Sequence, residues 1–289
     1  MPKPRDYPVD AVFAGVDWIS ATLPRGVLDD QVWLSDAMHV LNDLQKQGYV
    51  IEARKLLGFD GYAIEGCFVG SNDKSLYASF SGEKANTAYT YLDHPKVHIS
   101  RLDLQVTIKL SEMDNNEGKR CYNAARNHNQ SLPTFRQRKV DLWLGSGGAD
   151  TVYIGSPSSE VRGRIYNKEK QSGLDAYQRS WRYEAVYKNE HSTRMFNSIV
   201  TKGDQTTRFI ISQVVAFFRE RGVTIRGLGN YEGRLLEPIR MKPTDAERKL
   251  RWVKTQVVPT IRKLAELGYA EELMEIIAEA ISAQRNEAK

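Results

Sequence analysis

The run Arg162-Gly163-Arg164-Ile165-Tyr166-Asn167-Lys168 sets one phenol in a row of cations. In a β-strand side chains alternate, so Arg162, Arg164, Tyr166 and Lys168 would share one face and Gly163, Ile165 and Asn167 the other. Cations so arrayed attract a phosphodiester, and nearby positive charge favours the phenolate that can attack phosphorus. Tyr166 is thus the candidate nucleophile, with Arg164 and Lys168 as candidate phosphate contacts.

Two further segments supply acids on polar strand faces. In His98–Leu110 (HISRLDLQVTIKL), Leu102, Leu104, Val106 and Ile108 face one side and Arg101, Asp103, Gln105 and Thr107 the other. In Ser180–Lys188 (SWRYEAVYK), Arg182, Glu184 and Lys188 share a face, while Tyr183 and Tyr187 point to the core. Any one of these faces suits a solvated antiparallel sheet. Jointly they offer more. If the tyrosine strand runs between the Asp strand and the Glu strand, spacings of about 4.8 Å bring the three groups together. Two carboxylates beside a phosphodiester form a hard, all-oxygen environment of the kind Mg²⁺ or Mn²⁺ prefers, which makes Asp103 and Glu184 candidate metal ligands. The metal would polarise a non-bridging oxygen while Tyr166 attacks in line, releasing a 3′-hydroxyl and leaving a phosphotyrosine. That link conserves the ester, so the DNA strand can be resealed. Arg101, Arg162, Arg182 and Lys188 are candidate DNA contacts. The basic run Lys119–Lys139 offers Arg136, Arg138 and Lys139 as more, although a solvated loop accounts for it equally well.

The elements that must hold these residues can be read along the chain. Residues 1–10, with three prolines, form an expected disordered lead-in. Ala11–Leu23 alternates as a first strand, and Asp29 or Asp30 would cap a helix to about Gln47 that buries Val32, Met38, Leu41 and Leu44. Glycine-broken apolar runs between Val50 and Phe80 read as antiparallel hairpins. Gly145–Gly148 marks a tight connection into strands at Thr151–Ser156, Val161–Lys168 and Ser180–Lys188. From Asp204 the pattern becomes helical: an amphipathic helix capped by Asp204, a second opening at the Thr244–Glu247 capping box, a break or kink at Pro259, and a last helix from Ala270 to about Arg285. The fold class is α+β, a central antiparallel β-sheet flanked by helices, with a catalytic part over 11–203 and a helical C-terminal region over 204–289.

Composition narrows the class. The 289 residues are 41 % apolar and 27 % charged, with a formal charge of +5 that leans toward an anionic partner. Cys67 and Cys121 have no metal-ligand spacing and read as reduced thiols. No apolar run is long enough to span a membrane, so a soluble, cytoplasmic protein with no membrane partner is expected. The five histidines form no His-hydrophobe-His pair, and Pro95 interrupts His94 and His98. Ser156 and Ser158 belong to a turn, and the Gly145–Gly148 run lacks the Lys and Ser/Thr of a phosphate-binding loop. Trp252 is expected to pack the C-terminal helices.

The segments TVYIGSPSSEVRGRIYNKEKQSG and WRYEAVYKN, with SRLDLQVT, GVDWISATL, GYAIEGCFVG and RWVKTQVVPTIRKLAELG, resemble the Rep_trans family over most of residues 12–268. That family comprises rolling-circle plasmid and phage replication initiators and the relaxases of some integrative conjugative elements. The resemblance implies an origin-specific nicking-closing enzyme of a mobile element. Tyr166 would be its nucleophile, Asp103 and Glu184 metal ligands, and Arg164 and Lys168 phosphate contacts. A further acidic ligand would be Asp17 or Glu65. The implied partners are an inverted-repeat origin with a single-stranded nick site, a second copy of the chain in a homodimer, and a host helicase. The rival reading is a non-catalytic DNA-binding regulator on the same fold.

Overall fold

The computed structural model of the protein describes residues 9–144, 150–233, 235–236, 253 and 257–275. The chain divides into two compact units, Met1–Pro238 and Ile239–Lys289. The first is built on an antiparallel sheet of ten strands among the described residues. The strands are β1 (Val9–Pro24), β2 (Glu52–Leu56), β3 (Phe59–Ile64), β4 (Cys67–Ser71), β5 (Ser75–Ser81), β6 (His98–Leu110), β7 (Val140–Trp143), β8 (Thr151–Ile154), β9 (Val161–Asn167) and β10 (Ser180–Lys188). Their order across the sheet is β2-β3-β4-β5-β1-β6-β10-β9-β8-β7. The long strands β1 and β6 form its middle, with a hairpin ladder on either side.

Six helices belong to this unit among its described residues: α1 (Asp30–Lys46), α2 (Glu83–Ala88), α3 (Glu117–Ser131), α4 (Lys168–Ser172), α5 (Glu190–Val200) and α6 (Thr206–Arg219). The apolar face of β6 (Leu102, Leu104, Val106 and Ile108) is fully buried, and α5 and α6 pack over it. Phe218 meets the ring of Tyr183 edge-on at 5.5 Å, which fixes α6 to the side of β10 that carries Tyr183. Gly163 makes that approach feasible. A Cβ there would lie 2.6 Å from Phe217 and 3.0 Å from Phe218, so any side chain would force α6 off the sheet. The compact unit thus runs past residue 204 and includes α6, whose apolar side completes the core.

Several local expectations are corrected. In α1 the buried residues are Trp33, Ala37, Val40, Leu41 and Leu44, whereas Val32 is 56 % exposed. Asp29 makes no side-chain cap, and Asp30 instead accepts from the Gly26 backbone N–H at 2.8 Å. Asp204 lies in a 3-10 turn, and Gln205 precedes α6. In the second unit, α7 (Val258–Glu266) carries Pro259 in its first turn, where a missing N–H costs nothing. Residues 270–275 are also helical. The lead-in up to Pro8, Gly145–Gly148, the Thr244–Glu247 capping box, Trp252 and the last helix beyond 275 lie outside the described residues.

The start of α3 is anchored by a buried ionic cluster. Glu117 is fully buried and accepts from Arg120 Nε at 2.8 Å, pairs with Arg226 Nε at 2.9 Å, and takes the hydroxyl of Tyr183. Burial by itself would raise the carboxyl's pKa, but Arg120, Tyr183 and Arg226 hold it below its ordinary 4.5. Because the folded pKa is depressed, this contribution to stability is present above 4.5 and disappears as pH falls through the folded value. Glu117→Gln removes the carboxylate that buried Arg226 and half-buried Arg120 share. We expect a loss of about 3 kcal/mol at neutral pH, on the order of 10 °C in Tm. The gap from wild type should narrow below about pH 4.5; a pH series of thermal melts checks both.

Candidate active site

The order β6-β10-β9 makes the three chemically equipped strands neighbours, and their registers align the relevant residues. Gln105 on β6 lies opposite Glu184 on β10, and Glu184 lies opposite Arg164 on β9. Thr107, Arg182 and Tyr166 form the next row. The strand in the middle carries the glutamate. The expected arrangement, with tyrosine between the two acids, is therefore corrected, because the hydrophobic alternation that defines a strand says nothing of which neighbour it pairs with.

β1 closes the site from the other side through a bulge. Val16 pairs with Leu104 and Trp18 with Asp103, so Asp17 is the extra residue. A bulge re-aims side chains, and here Asp17 and Trp18 both line the same cleft. The cleft holds about 490 Å³ and is lined also by Arg101, Tyr153, Arg164, Tyr166 and Lys168. Of the two candidates for a further acid, Asp17 is thus at the site, whereas Glu65 lines the adjoining groove.

The contacts converge on Glu184. It is fully buried, accepts the hydroxyl of Tyr166 on Oε1, and is ion-paired through Oε2 with Arg164 Nη2. The same Arg164 nitrogen lies 3.5 Å from Asp103 Oδ2. Asp103, also fully buried, is gripped bidentately by Arg101, with Nη2 to Oδ2 at 2.6 Å and Nε to Oδ1 at 2.9 Å. Arg182 binds Asp17 Oδ1 at 2.5 Å and Thr107 Oγ1 at 2.9 Å. Arginine side chains thus hold each of the three carboxylates.

Burial governs the protonation of these groups. It pushes Glu184 up to about 7, reinforced by Asp17 and Asp103 and opposed by Arg164 and the Tyr166 hydrogen bond. Asp103 is also raised, first by burial, against the pull of Arg101. Tyr166 is 8 % exposed, and its phenol is pushed far above its usual value by burial and then by Glu184. The expectation that neighbouring cations favour the phenolate is therefore corrected for the free protein. The nearest charge to the hydroxyl is a carboxylate, and Arg182 only partly offsets it. Lys168 is lowered, by burial and then by Arg182.

The remaining expected residues divide by position. Lys168 is the first residue of α4 and not part of the strand, because Asn167 caps that helix by accepting from the Lys170 N–H at 3.0 Å. Its ammonium nevertheless lies 5.9 Å from the Tyr166 ring centre and 5.1 Å from that of Tyr177. Arg162 and Lys188 extend the cationic face past Asp103. Both are lowered by burial and then by neighbouring arginines, the mark of crowded like charges. Arg182 is buried, a support for Asp17 and Thr107. Arg136 and Lys139 lie outside this cleft: Arg136 stacks on exposed Phe135, and Lys139 pairs with Asp141 at 2.9 Å. Arg138 lines a separate cavity beside Arg221, at α5 and α6. Trp18 was not anticipated as a site residue; only the bulge, invisible in the alternation, brings it there. Cys67 and Cys121 are buried free thiols, and Ser156 and Ser158 bond each other within a turn.

Asp103 and Glu184 present only oxygen donors, the chemistry Mg²⁺ or Mn²⁺ takes, and both face Arg164 Nη2. The donor set therefore fits such an ion, with a guanidinium now between the two acids. Among the described residues no three His, Cys, Asp or Glu side chains cluster as a ready-made metal site.

Sheet order and helix placement define a mixed α+β fold shared with a rolling circle replication initiator protein from Geobacillus stearothermophilus. The likeness has a TM-score of 0.52 at 17 % identity and covers 73 % of this chain and 85 % of that one. Within that fold, the Rep_trans family, described as replication initiation factor, matches residues 97–278. The chain belongs to the Rep_trans family. No curated protein matches it. None of the described helices is long and apolar enough to cross a membrane.

Proposed function

We propose that the protein initiates rolling-circle replication, or transfer of a mobile element, by nicking one DNA strand at an origin and later resealing it. The observation that carries this reading is the Tyr166 hydroxyl seated on Glu184 in an open cleft rimmed by Arg101, Arg164 and Lys168. Glu184 Oε1 already accepts the Tyr166 hydroxyl hydrogen bond and so stands where it can take that proton. As the Tyr166 oxygen bonds to phosphorus, its proton passes to Glu184 Oε1. The bond from phosphorus to the 3′-oxygen breaks, and that oxygen leaves as a 3′-hydroxyl after taking a proton from solvent. The product is a 5′-phosphotyrosine, whose retained ester permits the reverse reaction.

Asp103 and Glu184 would hold Mg²⁺ or Mn²⁺, which when bound supplies Lewis-acid stabilisation of the phosphate oxygens. Arg164, set between the two acids, then becomes available to the phosphate, alongside Lys168 and Arg101. Arg162 and Lys188 continue the cationic face along which the DNA backbone would run. A homodimer at an inverted repeat and a host helicase belong to the same proposal.

A supercoiled plasmid carrying the cognate origin, incubated with the protein and Mn²⁺, should yield open-circular DNA and an adduct that survives SDS. Chelation by EDTA should suppress both. Tight origin binding with no nicking under any divalent ion would favour the non-catalytic regulator instead.

A further inference from the structure

Beside the Tyr166 cleft lies a second groove, of about 510 Å³, which no step of the nicking chemistry uses. Its volume is in the range of small-ligand pockets. Ile64, Cys67 and Phe68 form an apolar, buried lining, and Tyr49, 41 % exposed, stands at one side. Trp18 lines both this groove and the Tyr166 cleft, so the two share a wall.

That wall is built to stay in place. The Trp18 indole N–H donates to Ser20 Oγ at 2.8 Å, and Ser20 in turn bonds Ser79 on β5 at 2.9 Å. The Arg101 guanidinium lies 4.5 Å from the indole ring centre while its own donors hold Asp103. The cation attached to the phosphate site therefore also fixes the ring. Opposite, Lys84 lies 4.8 Å from the Tyr49 ring centre and donates to the Glu65 carbonyl at 2.7 Å. An apolar lining and two aromatic rings match the flat face of a nucleobase, and Arg54 stands on the lining with Glu52 and Glu65.

We propose that this groove receives a base of the single-stranded DNA adjoining the phosphate held at Tyr166. A nucleotide carries its base one sugar away from its phosphate, and the groove adjoins the cleft across Trp18, which lines both. The base stacks against Trp18 and Tyr49, and phosphate held in the cleft sets the register of the strand. The inference rests on the nicking reading above, because that reading supplies the phosphate in the neighbouring cleft.

The test uses the full-length protein in EDTA, so that no strand is cut, and two fluorescein-labelled probes of about 15 nucleotides, an oligothymidylate and an abasic strand with the same phosphates. Fluorescence anisotropy should show the oligothymidylate bound about tenfold more tightly than the abasic strand. Trp18→Ala should erase that preference, so that the two probes bind equally, and Trp18→Phe should keep much of it. Abasic binding doubles as a check that each variant is folded. If Trp18→Ala fails it, Tyr49→Ala, at an exposed position, replaces it and should reduce the preference. Equal affinity of wild type for both probes would overturn the base groove and leave the phosphate cleft standing. Absence of binding to either probe would overturn both readings. A preference that survives Trp18→Ala and Tyr49→Ala together would place base recognition elsewhere and also overturn the proposal.

Discussion

Tyr166→Phe is expected to abolish the SDS-resistant protein–DNA adduct and to lower nicking at least about 1,000-fold, with origin binding nearly unchanged. The reason is positional. The substitution removes the one oxygen that would bond to phosphorus and leaves the cationic rim of Arg101, Arg164 and Lys168 in place. It also deprives Glu184 Oε1 of its donor, which should cost about 1 kcal/mol in stability. That loss stays small because the Tyr166 bond helps hold the Glu184 pKa down; without it the carboxyl protonates more readily and becomes neutral. Tyr153 is the internal control. It lines the same cleft and lies opposite Arg164 in the ladder, yet Tyr153→Phe should nick and couple like wild type. An adduct undiminished in Tyr166→Phe, or lost in Tyr153→Phe, would move the nucleophile.

β6 was legible in the sequence because it buries an alternating apolar set, and β10 because its tyrosines alternate with charged residues. Leu102, Leu104, Val106 and Ile108 on β6 are fully buried as the alternation requires, and Tyr183 and Tyr187 turn to the core side of β10. The polar residues that would carry the chemistry follow from the same alternation, since fixing one face fixes the other. Pairing order was not legible. β9, β10 and β6 are apolar enough on their inner faces to neighbour one another in any order, and only the folded chain puts Glu184 between Asp103 and Tyr166. The bulge at Asp17 was hidden for a related reason: one extra residue on one strand leaves a sequence pattern indistinguishable from imperfect alternation.

Protonation was hidden for another reason. A list of cations around Tyr166 suggests an acidic phenol, but it omits burial, the largest influence on Tyr166 in the fold. Arginine contacts to the acids have a further consequence for how the site is assembled. Asp103 and Glu184 would be costly in the middle of a sheet as unpaired carboxylates, and Arg101 and Arg164 make their burial tolerable. The same arginines are the groups a phosphate would recruit. Substrate and metal would therefore exchange partners within an existing set of charges, so the site does not need to be exposed beforehand.

Glu184→Gln separates stability from function more sharply than any other single change. The folded carboxyl titrates at about 7, above its ordinary 4.5, so the native state keeps a proton that the unfolded chain has already lost. Between those values the native state binds more protons, and the contribution of Glu184 to stability falls as pH rises, by about 3 kcal/mol across the whole window. Glutamine imitates the protonated form and removes that decline. The variant should match wild type below about pH 4.5 and exceed it by about 3 kcal/mol at pH 8 in EDTA, read by urea denaturation. Mn²⁺ should narrow the difference at pH 8 by stabilising wild type alone, about 2.7 kcal/mol at a hundredfold excess over Kd. Nicking should fall at least about 100-fold, because the amide can neither take the Tyr166 proton nor hold a cation as a carboxylate does. Such a trade marks a buried carboxyl retained for chemistry at the expense of the fold. A variant less stable than wild type at both pH values would make Glu184 a structural partner of Arg164, and a variant that nicks at the wild-type rate would remove it from the reaction.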